Sequence, residues 1–223
     1  SVRRCAEDAA AHGWTVVSDT SYDGYMEIPR LVMAGYSVLA SELLEQMAER
    51  RPTHLFVQAG VGGLAAAVAA RLWQGWGAER PRIVVVEPTR AACLTASARA
   101  GTPTAVPLHE ETVMAGLSCG EVSLLAWDIL ARAASDFVTI DDDAVASAMQ
   151  LLARGQAGGG AIVAGESGVP GLIALIAAAA DPELRAALGL GPDSHALLLG
   201  CEGATDPGIY RRMVGEPADR LLA

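Results

Sequence analysis

The chain contains no lysine: its sixteen basic residues are all arginine. No side chain here can therefore act as an amine nucleophile toward a carbonyl compound, because arginine stays protonated and cannot replace lysine in that role. Apolar runs long enough to cross a bilayer, roughly 20 residues, are absent too. Residues 172–180 are apolar, but the run is short and rich in alanine. A basic stripe is also missing, and a net charge of −10 excludes nucleic acid and anionic membrane surfaces as partners. His12, His54, His109 and His195 are scattered with no pair at metal-ligand spacing, which excludes a histidine-based metal site. The first residues are polar and charged, so a secretory leader is not expected in this stretch. These absences describe a cytoplasmic enzyme whose four cysteines are reduced thiols. The first residue is Ser1, not Met. With the missing lysine, this leads us to expect the C-terminal portion of a longer protein. A lysine-free domain of GC-rich origin is the other reading.

What is present is a sizeable core: 223 residues, 52% of them hydrophobic, enough for one domain or one domain plus a fragment. Strand-like and helix-like runs alternate almost throughout. Strands are expected at residues 14–18, 55–58, 83–87, 104–106, 137–140 and 196–200, with a further strand-like run at 161–164. Helices are expected at 2–12, 28–50, 63–73, 91–100, 124–134, 144–153, 169–180 and 208–213. This order predicts an α/β fold, a mostly parallel twisted sheet with helices on both faces. Runs such as Ile83-Val84-Val85-Val86 suit strands buried on both sides. In such sheets ligands bind beyond the carboxyl ends of the strands. That rule singles out Asp19, the loop at 60–63, Glu87, the Glu166-Ser167-Gly168 turn, and Cys201 with Glu202 and Gly203.

The loop is the sharpest signal. An apolar run ends in Gly60, Val61, Gly62 and Gly63, and an alanine-rich helix starts directly after them. Glycines there allow a sharp turn and expose consecutive N–H groups at a helix N-terminus, a site that favours phosphate. Two ligands fit this chemistry. Gly60-Val-Gly62-Gly-Leu-Ala65 matches the dinucleotide fingerprint, with Glu87 placed as the ribose-binding acid of an oxidoreductase. The same loop also suits the phosphate of pyridoxal phosphate.

The remaining strand-end segments decide between them. Residues 13–25 (GWTVVSDTSYDGY), 28–36, 52–63, 84–93 (VVVEPTRAAC), 113–121 (VMAGLSCGE), 165–171 and 202–206 (EGATD) resemble, in order, the fold type II pyridoxal phosphate enzymes. Within that group the likeness is greatest to the diaminopropionate ammonia-lyases. The resemblance implies α,β-elimination of 2,3-diaminopropionate to pyruvate and ammonia, with a threonine or serine dehydratase as the neighbouring alternative. It implies a remnant of a small domain at residues 1–21 and a large cofactor-binding domain at 22–223. The Schiff-base lysine is then placed upstream of Ser1, and a homodimer is the implied assembly of the full-length enzyme. By the same resemblance, Asp19 faces the substrate as base or amine anchor, residues 60–63 hold the cofactor phosphate, Cys201 meets the pyridine nitrogen, and Glu87 lies near the cofactor. Cys93 and Cys119 fall in two of the matching stretches, which leaves two readings open, a link between them at the mouth of the site or two free thiols.

Overall fold

The computed structural model describes residues 2–221. Four strands, β1 (His54–Gln58), β2 (Arg82–Pro88), β3 (Asp136–Ile140) and β4 (Ala196–Leu198), form one sheet. Their order is β3-β2-β1-β4, and every neighbouring pair is parallel. The register places Val57 beside Val85 and Phe56 beside both Val84 and Leu198.

Strand periodicity explains the unbroken apolar runs. Leu55, Val57, Ile83 and Val85 point into one core, while Phe56, Val84 and Val86 point into a second on the opposite face. The first core is closed by α2 (Glu27–Gln46), α3 (Gly63–Trp76), α4 (Cys93–Ala100) and α5 (Leu124–Ala133). The second is closed by α6 (Val145–Ala153), α7 (Pro170–Ala180), α8 (Pro182–Leu188) and α9 (Pro207–Val214). α1 (Val2–His12) precedes these layers and α10 (Ala218–Leu221) ends them.

Small residues set the distance between helix and sheet. Ala65, Ala66, Ala67 and Ala69 are buried on α3. Gly171 brings α7 so close to β1 that a Cβ there would stand 3.0 Å from the Phe56 carbonyl oxygen. A bidentate ion pair, Arg82 Nε to Asp136 Oδ2 at 2.6 Å and Nη2 to Oδ1 at 2.9 Å, ties the starts of β2 and β3.

Three expected strands do not form. Residues 14–18, 104–106 and 161–164 find no neighbouring strand, and a strand without a ladder partner leaves its backbone groups unpaired. Trp14 and Val17 are 65% and 75% exposed, so the first of these segments lies outside both cores. The helix expected at 28–50 stops at Gln46. The short α8 was not expected, although Asp181 accepts from the amides of Glu183 and Leu184 in an ordinary N-cap followed by proline.

Candidate active site

A cleft of about 400 Å³ opens beyond the carboxyl ends of β1 and β4. Its floor is the loop between β1 and α3. Gly62, at φ +97°, makes the turn. A Cβ at that position would lie 3.1 Å from Leu130 Cδ1 and 3.2 Å from Ala126 Cβ, so the glycine is required both by conformation and by packing. The first bond of the helical ladder runs from the Ala66 amide to the Gly62 carbonyl. The amides of Gly63, Leu64 and Ala65 are thus left at the helix N-terminus for an external acceptor, where the helix dipole favours an anion.

Asp19 reaches the same cleft from the segment that precedes α2. That segment is fixed by a buried serine pair. Ser21 Oγ and Ser123 Oγ are 2.8 Å apart, the Ser21 amide donates to Ser123 Oγ at 3.1 Å, and the Leu125 amide donates to Ser21 Oγ at 2.8 Å. The N-terminus of α5 therefore holds the backbone two residues from Asp19. Tyr25 adds a second tie, its hydroxyl donating to the Val16 carbonyl and accepting from the Ser18 amide, both at 2.9 Å.

Cys201, beyond the end of β4, lines the same cleft with Glu202 and Gly203. Glu202 braces this wall: its Oε2 accepts from the Ser167 amide at 2.5 Å, and its carbonyl accepts from the Gly165 amide at 3.0 Å. Ser167 in turn accepts from the Gly116 amide at 3.0 Å, which links the 113–121 loop to the 165–168 turn. Glu166 is buried behind this turn; burial, with Glu202 and Asp206 nearby, pushes its carboxyl above the ordinary range.

Of the residues expected at the site, Asp19, Gly60, Val61, Gly62, Gly63 and Cys201 all line this one cleft. Glu87 does not. It is fully buried, and its carboxylate caps α4, accepting from the amides of Leu94 at 2.8 Å and Thr95 at 2.7 Å and from the Thr95 hydroxyl at 2.6 Å. A carboxylate so committed cannot bind a ribose or a cofactor, and the dinucleotide reading loses its acid. Of the two readings left open for Cys93 and Cys119, the structure shows the unlinked one. Both are free thiols. They flank the loop, with Cys93 Sγ donating to the Gly60 carbonyl at 3.7 Å and Cys119 Sγ 3.0 Å from the place of a Gly60 Cβ. Burial, with Glu87 and Cys119 nearby, pushes the Cys93 thiol up to about 12, so it is unreactive at neutral pH.

Two residues of the cleft had not been singled out. Tyr36, on α2, borders it beside Gly63; burial, then Asp19 and Cys201, raises its phenol above the ordinary value and keeps the hydroxyl protonated. Gln58 ends β1 and is buried at the cleft floor. A glutamine closing an otherwise apolar strand was its available signal.

These residues fit pyridoxal phosphate on three counts: a glycine turn at a helix N-terminus for the phosphate, a neutral thiol lining the same cleft, and a buried Gln58 Oε1 with no partner among the described residues. The comparisons agree. The profile of the pyridoxal-phosphate dependent enzymes matches residues 1–201. The chain is 38% identical to the diaminopropionate ammonia-lyase of Escherichia coli K12 over 97% of its own length and 56% of the relative's. The corresponding enzyme of Salmonella typhimurium is also 38% identical, over 96% of this chain and 55% of that one. The crystal structure of the holo Escherichia coli enzyme superposes with a TM-score of 0.87, covering 96% of this chain and 54% of that chain. Another structure of that enzyme, in complex with an aminoacrylate-PLP azomethine reaction intermediate, superposes at 0.86 with 37% identity, covering 96% of this chain and 55% of that chain. The chain spans about half the length of the curated relatives it matches. The ordered motifs, the parallel sheet and the cleft at its carboxyl edge thus have one explanation: this chain belongs to the pyridoxal-phosphate dependent enzyme family.

Proposed function

We propose that the chain supplies the cofactor-binding portion of a lyase that eliminates ammonia from 2,3-diaminopropionate, leaving pyruvate and a second ammonia after hydrolysis. The observation that carries this reading is the meeting of Asp19, the 60–63 loop and Cys201, far apart in sequence, around one cleft. Similarity to enzymes of that activity across nearly the whole chain supports it. Bound there, pyridoxal phosphate would withdraw electrons from the substrate α-carbon and so acidify its hydrogen. The loop amides would hold its phosphate, and Cys201 would supply a neutral thiol to its ring nitrogen. Asp19 takes the α-proton or anchors the substrate ammonium, and the protonated Tyr36 hydroxyl beside it is a donor for the departing amine.

The same reading assigns residues 1–21 to the end of a second domain and 22–223 to the cofactor-binding domain. Exposed Trp14 and Val17 suit a surface covered by the rest of such a domain. No helix among the described residues is long and apolar enough to cross a membrane. Four free cysteines suit a reducing cytoplasm. Leu31 and Val38, seven residues apart on α2 and exposed, suit a helix face covered in a homodimer.

Pyruvate formation from 2,3-diaminopropionate by the product of the complete reading frame tests the proposal. Asp19→Asn is expected to lower kcat by about 10²-fold or more while pyridoxal phosphate binding persists, the usual scale for a lost acid–base group. Faster turnover of threonine or serine than of diaminopropionate would move the assignment to a dehydratase. Full activity in Asp19→Asn would remove that residue from the chemistry.

A further inference from the structure

Gln58 is 2% exposed, and its amide is used unequally. Nε2 donates to the Leu199 carbonyl at 2.8 Å and to Cys201 Sγ at 2.9 Å, whereas Oε1 has no partner among the described residues. The geometry fixes which end is which. Turning the amide over would set Oε1 against the Leu199 carbonyl, two acceptors face to face. Both Nε2 hydrogens are therefore spent, one anchoring the side chain to the segment after β4 and one on the sulfur. A thiol that accepts from one side keeps its own hydrogen for another. The other ionisable groups bordering this cleft are Asp19, Tyr36, Cys119 and Glu202.

We propose that Gln58 is a positioning residue: by donating to Cys201 Sγ it makes the sulfur an acceptor toward the cleft floor and turns the thiol hydrogen outward, to be donated to the ring nitrogen of a pyridine-type ligand. The identity of that ligand rests on the function proposed above; the Gln58–thiol polarity does not, and it is measurable without cofactor. The arrangement selects a ring nitrogen that is unprotonated, because a pyridinium N–H would meet a hydrogen already pointing at it. Serine at position 201 preserves the polarity. Glutamate at position 58 reverses it, since a carboxylate has no hydrogen to give the sulfur and draws the thiol hydrogen to itself. The position of the thiol supports the same picture: partial burial raises it above its ordinary value and the Gln58 hydrogen bond pulls it back.

The test uses the 223-residue chain without cofactor. Iodoacetamide labelling at pH 8, read peptide by peptide, is expected to modify Cys201 about tenfold more slowly in Gln58→Met and Gln58→Glu than in the native chain, the scale of one charge-assisted hydrogen bond lost by the thiolate. Buried Cys93 reports on the fold and should stay unlabelled throughout. An unchanged Cys201 rate with Cys93 still protected would overturn the proposal. If a variant exposes Cys93, the native chain decides by NMR. Side-chain amide protons of Gln58 that follow the ionisation of Cys201, and cease to do so in Cys201→Ala, support the polarity; amide protons indifferent to that ionisation refute it. Failure of the cofactor reading would show separately, as absent pyridoxal phosphate binding with the thiol results intact.

Discussion

Gly165→Ala is expected to lower the thermal midpoint by roughly 6–12 °C, a loss of about 3 kcal/mol for a domain of this size. A Cβ at this position would stand 2.3 Å from the Gly203 carbonyl oxygen and 2.8 Å from Glu202 Oε2. The first neighbour is backbone, so no rotamer change relieves it, and the 165–168 turn must part from residues 202–203. Parting breaks the Gly165 amide to Glu202 carbonyl bond and loosens the Ser167 amide from the Glu202 carboxylate. Those contacts brace the wall that carries Cys201. Stability and ligand binding should therefore fall together, as followed by calorimetry and by pyridoxal phosphate titration. Gly203→Ala, where a Cβ would meet open space, is the matched control. A Gly165→Ala protein with native stability would show that the two segments are not held this closely.

Glu87→Ala should be as damaging for a different reason. Its carboxylate satisfies three donors at the start of α4, all within 2.8 Å, and the side chain is fully buried. Removing it leaves the amides of Leu94 and Thr95 and the Thr95 hydroxyl unsatisfied, at a cost on the order of 4 kcal/mol. The pH dependence has a definite sign. Burial holds the Glu87 carboxyl above its ordinary value of 4.5, partly offset by the hydrogen bonds from Thr95 and Leu94. The folded chain thus keeps a proton that the unfolded chain has already released. The associated stability is fully present below 4.5 and declines as pH rises through the higher folded value. Glu87→Gln, uncharged at every pH, should lose less stability over that rise than the native chain. Urea midpoints measured at several pH values check this, and a steeper decline in the glutamine variant would contradict it.

The roles of Glu87 and Gln58 show where reading the sequence stops. β1 and β2 were legible because strands buried on both faces need unbroken apolar runs, and 55–57 and 83–86 provide them. The loop was legible because a glycine turn opening a helix has few other uses. Residues 14–18 and 104–106 have strand composition but lack partners, and pairing is a property of the sheet rather than of the segment. Glu87 sits where a ligand-binding acid would sit. Only the return of the chain at Leu94 and Thr95 shows that it caps a helix. Tyr36 resembled any aromatic on an amphipathic helix until α2 was seen to run past Gly63. The bond from Gln58 to Cys201 joins residues 143 apart and carries no local sequence signal.

Whether this cleft holds pyridoxal phosphate is measured by titrating the chain with it, followed by absorbance and by tryptophan fluorescence, beside pyridoxal without phosphate. Weak, saturable binding that needs the phosphate and is competed by inorganic phosphate is expected, because the loop amides at 60–65 are the main anchor. Borohydride reduction is expected to leave no cofactor on any internal residue, since the chain has no lysine. Equal binding of the phosphate-free aldehyde, or no saturable binding at all, would contradict the assignment of this cleft.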